Sequence, residues 1–206
     1  MMRNFMLTGA TVATVLLLSA CGGAHSTPTS SMNHGDPVPS AAASATGSFN
    51  DVDVAFVQAM IPHHQQAVQM AALADGRVAD GEVKSLAGKI QAAQQPEIDT
   101  MTTWLTAWGR PASMPSMSVE AHESMGHGSM PGMMSDADMT KLMAAKGAAF
   151  DKQFVTMMIA HHEGAVTMAR EEVAKGSNPD ATALAKKIIT DQQAEITTME
   201  SILRRL

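Results

Sequence analysis

An internal repeat constrains this chain more than any other feature. At an offset of 98 residues, two halves align without a gap. Asp53, Phe56, Val57, Met60, Ile61, His63, His64, Ala67, Val68, Met70 and Ala71 match Asp151, Phe154, Val155, Met158, Ile159, His161, His162, Ala165, Val166, Met168 and Ala169. Farther on, Leu86, Ala87, Lys89, Ile90, Gln94, Gln95, Glu97, Ile98, Met101 and Leu105 match Leu184, Ala185, Lys187, Ile188, Gln192, Gln193, Glu195, Ile196, Met199 and Leu203. A unit this short buries its apolar face only against a neighbour, so two copies in one chain are expected to close on each other.

Each copy reads as a helical hairpin. Asn50 or Ser48 can cap a first helix running to about Ala74, with Gly76 as a stop. A second helix begins near Asp80 and ends at Trp108-Gly109-Arg110-Pro111, where Gly supplies the left-handed residue and Pro blocks continuation. In the second copy Asn178-Pro179 is the cap and first helical residue. Pro62 and Pro96 fall inside helices and are expected to kink them. Nowhere is there an alternating β-branched run, so strands are not expected. Two hairpins, each with one apolar stripe, close most economically into an all-α four-helix bundle over 49–206, with repeat one at 50–108 and repeat two at 148–206. Residues 109–135 form the linker between them, and a short capped segment runs from Ser135 to about Lys146.

Ahead of the bundle, Arg3 and an apolar run from Leu7 to Leu18 read as a signal peptide over 1–20, too short to span a bilayer. The run ends in Leu18-Ser19-Ala20-Cys21, and Cys21 is the single cysteine of the chain. This resembles a bacterial lipoprotein signal and implies lipidation at Cys21, with residues 21–48 as a flexible Ser/Thr/Pro/Gly/Ala-rich tether. The expected location is therefore extracytoplasmic, on a membrane. One cysteine excludes a disulfide framework or a thiolate cluster within the chain. A net charge of −6 and the lack of a basic stripe argue against nucleic acid. With no Tyr at all, chemistry that needs a tyrosyl group is excluded.

The chemistry-bearing residues share helix faces. At 100° per residue, Phe56, Met60, His63, Ala67 and Met70 fall on one arc with His64 at its edge, while Gln94, Glu97 and Met101 form a stripe on the partner helix. The second copy repeats both with Met158, His161, His162, Met168, Glu195 and Met199. Methionines at helical spacing are commonly core. Adjacent His pairs beside a carboxylate stripe are harder to explain by packing, because each buried polar group without a partner costs about 1–3 kcal/mol. The linker carries His122, Met125, His127 and Met130 among Gly, Ser and Pro, with no apolar period, in a chain with Met 19. Thioether with imidazole suits copper, Cu(I) above all, and imidazole also suits Cu(II). Zinc could use His and Glu but leaves the methionines unexplained, and Ca2+ or Mg2+ would need clustered oxygens.

Met60 to Met70 with Gln94 to Met101, and Met158 to Met168 with Gln192 to Met199, resemble a bacterial family of unknown function. Its signature is Met-x-x-His-His-x-x-[Ala/Gly]-x-x-Met followed by Gln-x-x-Glu-Ile-x-x-Met. The resemblance spans residues 50–206 and implies a ferritin-like four-helix fold. Some members are extracytoplasmic copper-binding proteins linked to copper tolerance, which implies the same role here: sequestering copper or passing it to another extracytoplasmic copper protein. Ferritin-like di-iron enzymes use Glu together with Glu-x-x-His. This chain has Glu97 and Glu195 without such a facing pair, which counts against a metal-dependent oxidoreductase. A partner-binding lipoprotein without metal is the remaining alternative.

Overall fold

The computed structural model describes residues 47–112 and 130–206. The expected signal peptide, Cys21, nearly all of the tether and the linker residues His122, Met125 and His127 lie outside the described residues. The chain forms α1 (Asp51–Ala72), α2 (Gly81–Ala107), a short α3 (Asp136–Ala144), α4 (Ala148–Lys175) and α5 (Pro179–Arg205). No strand occurs among the described residues, and the fold is an all-α bundle of two long hairpins.

Local chemistry sets the helix ends. The Asn50 side chain accepts from the amides of Val52 and Asp53, and the Asp53 carboxylate accepts from the Asn50 amide, closing a capping box. The Asp80 side chain accepts from the amides of Glu82 and Val83 to cap α2, and that of Asn178 from the amides of Asp180 and Ala181 to cap α5, with Pro179 opening the helix. The first helix stops at Ala72, two residues short of the expected Ala74, and Gly76 turns the chain at φ +69°. Helical geometry continues unbroken across Pro62 and Pro96.

Packing is most extensive within each hairpin, α1 on α2 and α4 on α5, while α1 and α4 make the main contact between hairpins. The core divides into two clusters that follow the repeat. One contains Met60 and Met101 of the first hairpin, with Met168 of the second packed against it. The other contains Met158 and Met199 of the second hairpin together with Met70 of the first. Each set maps onto the other by the offset of 98 residues.

Polar contacts show the same reciprocity. The Asp53 carboxylate accepts from the backbone amides of Ser177 at 3.1 Å and Asn178 at 2.9 Å. The Asp151 carboxylate accepts from those of Ala79 at 3.1 Å and Asp80 at 2.9 Å, the positions 98 residues earlier. Each hairpin thus anchors the turn of the other, as in an isologous two-fold interface made within one chain.

Candidate metal centre

His63 and His161 are equivalent residues of the two repeats, and they stack on each other where α1 meets α4. Their ring centroids are 3.8 Å apart with planes tilted by 38°. Both side chains are buried, as are those of His64 and His162. The apolar neighbours on α1 and α4 that fold the bundle carry these imidazoles inward with them.

Each outer imidazole is held by a carboxylate of its own hairpin. His64 Nε2 lies 2.9 Å from Glu97 Oε2, and His162 Nε2 lies 2.6 Å from Glu195 Oε2. An ionised carboxylate only accepts, so both rings carry the proton on Nε2. Glu97 also receives Lys187 Nζ at 2.9 Å. Burial pushes the Glu97 carboxyl up, but the hydrogen bonds from His64 and Lys187 outweigh it and hold the group below its ordinary value.

His63 is held by the backbone: its Nε2 donates to the Pro131 carbonyl at 3.0 Å. Burial and the neighbouring imidazole of His64 depress its pKa to about 3. Burial and the facing His63 depress that of His161 to about 2, so both rings are neutral at physiological pH. The Nδ1 atoms of His63, His64 and His162 are buried without a partner, and neither ring nitrogen of His161 makes a well-formed hydrogen bond.

This donor set suits a soft ion better than a hard one. Among the described residues no three His, Cys, Asp or Glu side chains converge closely enough to cage a metal. Ligation in the bundle would therefore have to combine imidazole with thioether, a combination that favours Cu(I). Of the sequence-chosen thioethers, Met60, Met70, Met101, Met158 and Met199 are fully buried and Met168 is half-buried. They are divided between the two core clusters and do not form one shell. Met130 lies half-buried, one residue before the carbonyl that meets His63.

Sequence reasoning missed how the end of the linker is used. Residues 130–134 lie over the His pair: Gln66 Nε2 donates to the Met134 carbonyl at 2.9 Å, and its Oε1 accepts from the Met134 amide at 2.7 Å. Gly164, the repeat equivalent of Gln66, leaves room for Pro131 and Gly132 against α4. A glycine in mid-helix, where the other copy has Gln, was the available signal. Sequence reasoning also passed over Glu172, a fully buried carboxyl next to Asp53.

Comparison with known proteins agrees with this architecture. A crystal structure of a Streptomyces coelicolor DUF305 protein is 34% identical, covering 75% of this chain and 93% of that one, with a TM-score of 0.66. CopM in its Cu(I)-bound form is 32% identical over 74% of this chain and 96% of its own, with a TM-score of 0.62. In its Cu(II)-bound form the identity is 35% and the TM-score again 0.62. An uncharacterized protein of Acanthamoeba polyphaga mimivirus is 45% identical over 53 residues, 26% of this chain and only 35% of the viral protein's length. A family model described as a domain of unknown function, DUF305, matches residues 53–203, and the chain belongs to that family.

Proposed function

We propose that this chain is an extracytoplasmic copper-binding protein, anchored through a lipidated Cys21, that sequesters copper or hands it to another extracytoplasmic copper protein. The observation that carries the reading is the row of buried imidazoles whose Nδ1 atoms have no partner, in a core rich in methionine. Lone pairs withheld from both water and protein are available to a metal. Imidazoles neutral well below pH 7 need lose no proton to bind it. CopM, solved with Cu(I) and with Cu(II), supports copper as the cargo.

In this reading His63, His64, His161 and His162 supply nitrogen, and Met60, Met101 and Met168 or their equivalents Met158, Met199 and Met70 supply sulfur. Glu97 and Glu195 then act behind the imidazoles: a carboxylate on the remote N–H orients a ligating ring and raises its basicity. His122, Met125, His127 and Met130 give the linker a capture function, exchanging ligands one at a time with the bundle.

Competition titration with a Cu(I) chelator tests the proposal. The folded domain is expected to retain at least one copper ion against a chelator of moderate affinity. A variant with all four bundle histidines changed to Ala should keep its helicity and lose that ion. Failure of the unaltered protein to retain copper overturns the proposal, and collapse of the four-His variant irrespective of metal would mark the rings as structural.

A further inference from the structure

Among the four buried imidazoles, His63 makes a well-formed hydrogen bond to a backbone carbonyl, and that carbonyl belongs to the strap formed by the end of the linker. A carbonyl oxygen only accepts, so the bond to Pro131 fixes the His63 proton on Nε2 and leaves a bare lone pair on the buried Nδ1. Its equivalent His161 receives no such bond from the strap, and neither of its ring nitrogens makes a well-formed hydrogen bond. The repeat makes the two rings alike, and the strap makes them different.

Two residues at equivalent repeat positions hold the strap in place. On α1, the Gln66 side-chain amide pairs with both the amide and the carbonyl of Met134. On α4, Gly164 lies directly beneath Pro131, and a Cβ there would overlap the Pro131 carbonyl group. Gly132 takes φ +78°, and a Cβ on it would sit 2.6 Å from the Ala160 carbonyl oxygen and 2.9 Å from that of His161. Helix, strap and imidazole therefore fit only with glycine on both sides of the contact.

We infer that the Pro131–Gly132 strap is a positioning element for the copper site: its carbonyl locks His63 to present Nδ1, a restraint that the equivalent His161 does not receive from it. This rests on the copper reading above. A hydrogen bond from the remote ring N–H to a carbonyl is a recurring partner of ligating histidines, and its loss costs about 10–100-fold in metal affinity.

Gly164→Ala tests the inference without altering any proposed ligand. Alanine is the better helix former, so α4 should persist while the strap is displaced. In the metal-free unaltered protein, nitrogen-15 NMR of the imidazoles should show His63 wholly as the Nε2–H tautomer. In the variant it should become a tautomer mixture, with His64, held by Glu97, unchanged as an internal control. Cu(I) affinity should fall about 10–100-fold. Gly132→Ala, which perturbs the strap and leaves the helix intact, should do the same.

A mixed His63 tautomer in the unaltered protein overturns the inference. So does a tautomer shift in both variants with unchanged Cu(I) affinity, because the carbonyl would then serve packing alone. If the unaltered protein binds no Cu(I), the functional proposal fails first, and a locked tautomer would reduce Pro131 to a structural acceptor.

Discussion

Glu172 stands where the first repeat has Ala74, so it departs from the internal symmetry. It is fully buried, its carboxyl lies against Gly176, and the Thr182 hydroxyl donates to it at 3.5 Å. Burial, and then the adjacent Asp53 carboxyl, push its pKa from 4.5 up to about 8. Between those values the folded protein keeps a proton that the unfolded chain has released, so stability falls as pH rises from about 4.5 to 8. Glu172→Gln should flatten this decline: the variant should match the parent near pH 4 and exceed it near pH 8 in urea denaturation. Parallel curves would place the slope elsewhere. His63 and His161 act in the opposite sense, because their folded-state values lie below the ordinary 6.5. Below that pH the unfolded chain binds more protons and stability is lost. The same scale separates packing from ligation by the methionines. Met60→Leu and Met158→Leu should each cost less than about 1.5 kcal/mol of stability, being nearly volume-conserving. A drop in Cu(I) affinity well beyond that cost would mark the sulfur as a ligand.

Between elements, the decisive contacts are two carboxylates that each serve the opposite hairpin. Asp53 completes the cap of α1 and also accepts from Ser177 and Asn178 at the α4–α5 turn. Asp151 accepts from Ala79 and Asp80 at the α1–α2 turn. The sequence shows both residues as matched acidic positions near helix starts, which accounts for capping and for nothing across the bundle. Asp53→Ala should destabilise by about 2–3 kcal/mol, since it removes a cap and leaves amides of the facing turn without an acceptor. Asp151→Ala should cost about 1–2 kcal/mol, because α4 starts at Gly147 without a side-chain cap and only the turn is lost. Denaturant midpoints at constant m-value read both effects. Equal losses would mean that the capping box on α1 contributes little.

At the scale of the whole molecule, the bundle behaves as a dimer tied into one chain. Residues 47–112 alone carry an apolar face and both halves of the reciprocal contact, the Asp53 carboxylate and the Ala79 and Asp80 amides. They should form a helical homodimer in sedimentation analysis that dissociates on dilution; a stable helical monomer would show that the second repeat supplies something the first lacks. Helix number, approximate ends and the pairing of hairpins were all legible from sequence, because capping, amphipathic period and duplication are written in residues a few positions apart or 98 apart. The His pairs were legible as inward-facing by the same periodicity. Their hydrogen-bond partners were legible only in part, since Glu97 and Glu195 could be placed on a facing stripe but not assigned to a particular ring nitrogen. The Pro131 carbonyl on His63, the glycine contact beneath it and the buried Glu172 were decided by the tertiary structure alone. These contacts join residues that no local rule connects, and they turn on which atom of a side chain is left free once two helices and a strap have closed around it.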